Sequence, residues 1–137
     1  MFIVTKLLGE GLELSSSMQF IIIALAESAS LALRKNPLPD FYSCGVKYQP
    51  EDPSNLADEW TDPYTTFERR YGDCDDMVIW RLAEIYKKSG YNPIRGRANI
   101  PAWPVIAWDS GNNYHVYIRH INGMVEDPAK IMKEKLG

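Results

Sequence analysis

With 137 residues, 45% of them hydrophobic and 24% charged, the chain is long enough for one globular domain with its own core. A net charge of -3, with no run of more than two adjacent cations, argues against a nucleic-acid groove. Two cysteines and two histidines, with no CxxC or HxxxH spacing, suit a reducing compartment, free thiols, and neither a structural metal nor any other cofactor.

Residues 1–14 show no clear period, and Gly9 and Gly11 mark a turn, so this stretch reads as an arm or a short strand. Ser15, Ser16 and Ser17 then offer N-caps to a helix running to about Arg34. Phe20, Ile21, Ile23, Ala24, Leu25, Leu31 and Leu33 nearly encircle that helix, which predicts burial by its own domain or by a partner. From Met18 to Leu33, Gln19, Glu27 and several serines interrupt the apolar run, leaving it too polar and too short to span a bilayer. No basic leader precedes it, and the expectation is a cytoplasmic protein with no membrane partner.

Residues 36–72 are an aromatic, proline-rich region, with prolines at 37, 39, 50, 53 and 63, expected to be a long functional loop pinned to the core. Trp60 and Tyr71 are the candidates to line a cleft, because they stand nearest Cys74 in sequence.

Next comes the segment that carries chemistry. Asp73 is a good N-cap, and Asp76 completes a capping box in place of the usual glutamate, so Cys74 is the first helical residue. Val78, Leu82 and Ile85 keep the spacing of a buried stripe, and Gly90 is a suitable stop. A thiol at a helix start is favoured as thiolate by the dipole and by unpaired N–H groups, whereas Asp73, Asp75 and Asp76 oppose it. On these residues alone a small buried cysteine is the commoner outcome.

After Gly90 the period becomes two. Ile94, Gly96, Ala98 and Ile100 alternate with Arg95, Arg97 and Asn99 as a first strand, and Val105 to Trp108 form a second. A turn at 109–113 leads to a third strand from Tyr114 to His120 and a fourth from Met124 to Asp127. Pro128 opens a charged, peripheral C-terminal helix. The fold class is α+β, with the cysteine helix packed on an antiparallel sheet of three to four strands, in one domain over 1–137. Within it, 1–35 are the arm and first helix, 36–72 the loop region, 73–128 the helix and sheet that carry the chemistry, and 129–137 the last helix.

A cysteine nucleophile needs a base, and the base needs an orienting group. His115 and His120 lie five apart on one strand and face opposite ways; His115, next to the turn, has the easier access to a cleft edge. Asp127 is the candidate orienter, and the hairpin tests it. A two-residue turn would put Asp127 opposite Ile118, on the wrong face. A three-residue loop of Ile121, Asn122 and Gly123, with Gly123 left-handed, pairs His120 with Met124 and brings Asp127 opposite Tyr117, diagonal to His115. The catalytic reading therefore predicts a bulged hairpin.

Gly72-Asp73-Cys74-Asp75-Asp76 at a helix start, Tyr114-His115-Val116 on a strand, and Gly123-Met124-Val125-Glu126-Asp127-Pro128 together resemble the transglutaminase-like branch of the papain-like cysteine peptidases. The segment Tyr42-Ser43-Cys44-Gly45-Val46-Lys47-Tyr48 and the pair Glu59-Trp60 look like the small phage and prophage form of that family. The resemblance covers residues 41–128 and implies a triad of Cys74 as nucleophile, His115 as base and Asp127 as orienter. It implies an amide hydrolase working through a thioester on a protein or peptide substrate. The alternatives are transglutaminase-type cross-linking, or a non-catalytic assembly module that meets other phage structural proteins through the apolar helix 16–34. It further implies residence in the host cytoplasm or association with the virion. One departure stands out: Glu68 occupies the region where papain-type enzymes carry a glutamine oxyanion donor, and the indole of Trp60 is the substitute expected here.

Overall fold

The computed structural model describes residues 2–5, 11–50, 57–108 and 113–136. In chain order these form β1 (Phe2–Thr5), α1 (Gly11–Lys35), β2 (Lys47–Tyr48), β3 (Ala57–Trp60), α2 (Pro63–Arg69), β4 (Tyr71–Gly72), α3 (Cys74–Ser89), β5 (Ala102–Trp108), β6 (Tyr114–His120), β7 (Val125–Glu126) and α4 (Pro128–Leu136). Strands β5, β6 and β7 make an antiparallel sheet in that order, β1 pairs antiparallel with β3, and β2 runs parallel to β4. The α+β class expected from the sequence holds.

Helix α3 is the hub. Met77, Val78, Ile79, Trp80 and Leu82 are fully buried, and α1, α2, α4 and the sheet all pack against it. Its ends follow the sequence: Asp73 and Asp76 form the reciprocal capping box, and Gly90 closes the helix in the left-handed conformation at φ 73°. Gly72 is closely packed: a Cβ there would stand 3.1 Å from Thr66 Cγ2 and 3.2 Å from Asp76 Cβ, tighter than ordinary contact.

Helix α1 begins at Gly11, ahead of the serines expected to cap it. By length and composition residues 15–35 could cross a membrane, contrary to the expectation from 18–33. In this fold Met18, Ile22, Ala26, Ala29 and Leu33 are buried instead, and Glu27 accepts from Tyr91 at 2.7 Å and from Arg97 at 2.6 and 2.9 Å. A face so occupied belongs to the core of a folded domain.

Three expectations are corrected. The region 36–72 is not one loop: Asp62 caps α2 by accepting from Thr65 N–H at 3.0 Å with Pro63 at the first position, and the two-residue strands β2 and β4 pair beside it. The alternation at 94–100 forms no strand. Asn92 Oδ1 accepts from Ile94 N–H, Pro93 lacks a donor, Gly96 lies at φ 93°, and Ile94 is 84% exposed, so the period arises without a sheet face. Finally, α4 is not peripheral, since Ala129 and Met132 are in the main core.

Pro104 sits inside β5, which starts at Ala102, ahead of the strand expected from Val105. Strand β5 is an edge, and Pro104 lies opposite Ile118, whose backbone groups point the other way, toward β7. The missing N–H therefore faces off the ladder, where the Pro104 carbonyl accepts from Gln19 at 2.6 Å. The turn expected at 109–113 lies mostly outside the described residues.

Candidate active site

The hairpin between β6 and β7 decides whether His115 and Asp127 meet. Ile118 pairs with Glu126 and Arg119 with Val125; the His120 N–H donates to the Met124 carbonyl at 2.8 Å, and the Gly123 N–H to the His120 carbonyl at 2.9 Å. Gly123 has φ 93°. This is the bulged three-residue loop expected from the sequence, and it carries Asp127 to the face of His115. There His115 Nε2 and Asp127 Oδ2 are 2.6 Å apart. The imidazole is 44% exposed, and among the described residues its Nδ1 has no hydrogen-bond partner.

Cys74 reaches the same strand at the next residue. Even-numbered positions of β6 direct their backbone groups toward β7, but β7 ends at Glu126, so the amide of Val116 has no strand partner there. It faces the Cys74 thiol instead and favours its ionised form. The sulfur thus lies at the edge of β6, one residue from His115, as the continuation of a missing strand. Among the described residues no hydrogen bond joins Sγ to the imidazole.

Cys74 is only 9% exposed. Burial, then the carboxylates of Asp75 and Asp73, push the thiol well above its ordinary range, and the Val116 amide opposes them only in part. The thiolate favoured by the helix position in isolation is therefore not the resting species, because desolvation outweighs the dipole.

The acidic neighbours are held in place. Asp76 Oδ1 accepts from Thr61 N–H at 2.8 Å, and its Oδ2 takes Arg69 at 2.7 Å and Asp73 N–H at 3.2 Å. The Tyr114 hydroxyl donates to Asp75 Oδ2 at 2.8 Å, tying the residue before His115 to the residue after Cys74. That clamp fixes the start of β6 against the start of α3.

No protein-family model, curated protein or solved structure matches this chain. The site stands on its own geometry.

The remaining sequence candidates fall elsewhere. Trp60 is 1% exposed and does not line an open cleft; its indole N–H has no acceptor among the described residues. Tyr71 is exposed and carries the Arg69 guanidinium over its ring at 4.5 Å, so it borders the site from outside. Glu68 is exposed on α2. His120 pairs with Glu126 at 2.9 Å on the opposite face of the hairpin, away from Asp127.

Sequence reasoning missed Tyr48. Its strand pairs with β4, placing it opposite Gly72, two residues before Cys74, and its half-buried ring packs on the cluster that contains Cys74. Burial, then the charge at Cys74 once it ionises and the carboxylates of Asp73, Asp75 and Asp127, raise its hydroxyl above the ordinary phenol range, which keeps it protonated. The signal was faint, because a two-residue strand has no period to read.

Proposed function

We propose that the protein is a cysteine-dependent acyl-transfer enzyme, an amide hydrolase acting on a peptide or isopeptide bond, of the transglutaminase-like, papain-like type. The observation that carries this reading is the 2.6 Å pair of His115 and Asp127, with the free Nδ1 of His115 one residue along β6 from the amide that faces the Cys74 thiol. With Nε2–H donated to Asp127, the neutral imidazole presents Nδ1 as a base.

The thiol is protonated at rest, so ionisation accompanies attack. Nδ1 turns toward Sγ and takes its proton, and the sulfur adds to the carbonyl. The imidazolium returns the proton to the leaving amine, and water, deprotonated by the same imidazole, releases the acyl group from the thioester. Closure of the gap between Sγ and the ring on substrate binding is the expected behaviour of such sites. Where an amine takes the place of water, the same residues perform cross-linking.

A second reading, a non-catalytic assembly module, draws on the buried and protonated sulfur. One experiment separates them: a candidate protein substrate is incubated with wild type and with Cys74→Ala, and its intact mass is measured. Chain cleavage that requires Cys74 supports hydrolysis, gain of an added amine with loss of ammonia moves the assignment to cross-linking, and identical masses with both proteins favour the module.

A further inference from the structure

A tetrahedral intermediate at Cys74 would carry a negative oxygen, which needs donors already aimed at it. The backbone N–H of Cys74, first in α3, has no intrahelical acceptor and supplies one. The sequence offered Trp60 as the second, but that side chain is sealed in the core. Tyr48 meets the requirement better. Its strand is locked to the chain entering the cysteine helix, with Lys47 N–H donating to the Arg70 carbonyl at 3.0 Å and Gln49 N–H to the Gly72 carbonyl at 2.8 Å. Helix α4, which begins directly after Asp127, also packs on β2, so the strand of Tyr48 touches both the chain entering the cysteine helix and the helix that follows the orienter. Among the described residues its hydroxyl has no hydrogen-bond partner, as is also true of Tyr71 and Tyr117, whereas the Tyr42, Tyr64, Tyr86, Tyr91 and Tyr114 hydroxyls all donate to protein acceptors.

We propose that the Tyr48 hydroxyl is the side-chain half of the oxyanion hole, donating with the Cys74 N–H to the oxygen of the tetrahedral intermediate. The assignment rests on the acyl-transfer reading above. When Sγ bonds to the carbonyl carbon, the π pair moves to oxygen and both donors stabilise it; when the pair returns, the bond to the leaving group breaks. Burial, and then the nearby carboxylates, keep the phenol in its donor form.

The test compares wild type, Tyr48→Phe and Cys74→Ala in two reactions at the same sulfur. Acylation by p-nitrophenyl acetate passes through an oxyanion and expels p-nitrophenolate. Alkylation by iodoacetamide, read on the Cys74 peptide by mass spectrometry, displaces iodide with no oxyanion. The expected result is a loss of roughly 10²-fold in acylation for Tyr48→Phe, as for removal of one oxyanion donor, with alkylation within about twofold of wild type. Equal losses in both reactions would assign Tyr48 to packing or thiol activation and overturn the proposal, and so would no loss in either. Wild-type acylation no faster than that of Cys74→Ala would instead remove the acyl-transfer reading itself, and the oxyanion hole with it.

Discussion

One hairpin carries two histidine–carboxylate pairs on opposite faces, and they differ in everything except composition. On one face His120 and Glu126 are bound into a closed cluster, with Glu126 also taking Arg81 at 2.5 Å and the Tyr42 hydroxyl. On the other, His115 and Asp127 are half open, Asp127 takes only the Lys130 N–H besides the imidazole, and the imidazole keeps one nitrogen free. A saturated carboxylate holds a structure together, whereas a histidine with one anchored and one vacant nitrogen is poised to move a proton. The two faces are thus expected to respond oppositely to the same substitutions.

The largest contrast lies in the bases. His115→Ala should lower Cys74-dependent acylation by roughly 10³-fold, within the usual range for a positioned base, while His120→Ala leaves the rate within severalfold. A comparable loss from both would break the distinction between the faces. The carboxylates give a smaller, crossed effect. Asp127→Ala should cost on the order of 10²-fold in rate, because the imidazole loses its orientation, and only about 1 kcal/mol in unfolding free energy, because Asp127 Oδ1 also caps α4 by accepting from Lys130 N–H at 3.2 Å. Glu126→Ala should leave the rate nearly unchanged but cost roughly 2 to 4 kcal/mol in urea unfolding, since the half-buried Arg81 guanidinium loses its closest counter-charge.

Gly123 underlies both pairs, because its left-handed turn sets the register that sends Asp127 to one face and Glu126 to the other. A Cβ there meets nothing within 4 Å, so Gly123→Ala tests backbone strain alone. About 1 kcal/mol of destabilisation is expected, with activity and the Arg81 cluster weakened together.

The division between what was legible and what was not follows the same logic. Asp73, Asp76 and Gly90 act within one turn of α3, so the cysteine helix could be bounded from local chemistry alone. The bulged hairpin was legible because only one loop length serves His115 and Asp127 together. Strand β2 escaped notice because Tyr48 owes its place to a partner 24 residues later, Gly72, and not to any period of its own. Residues 94–100 misled in the opposite direction: alternation without a partner strand is only spacing, and Asn92 and Gly96 had already turned the chain. The protonation of Cys74 was illegible for a third reason. Desolvation depends on what covers the sulfur, and α3 names only the charges beside it.

That last point gives the smallest and most diagnostic test of the comparison. Burial, with Asp75 and Asp73, raises the Cys74 thiol above its unfolded value, so the folded chain holds a proton that the unfolded chain releases. Below roughly pH 8, where an unfolded thiol is also protonated, this group makes stability no more pH-dependent; above about 8.5 unfolding releases the proton, and rising pH favours the unfolded state until the folded thiol itself ionises. Denaturant unfolding between pH 7 and 10 should therefore show wild type losing stability more steeply than Cys74→Ala. Cys44, also raised by burial, contributes a slope of the same sign in both proteins and cancels in the comparison. Iodoacetamide should correspondingly alkylate Cys74 more slowly at pH 7 than it does free cysteine. Parallel stability curves would mean that the thiol is already ionised or paired in the folded protein, and His115 would then act by holding a thiolate rather than by creating one.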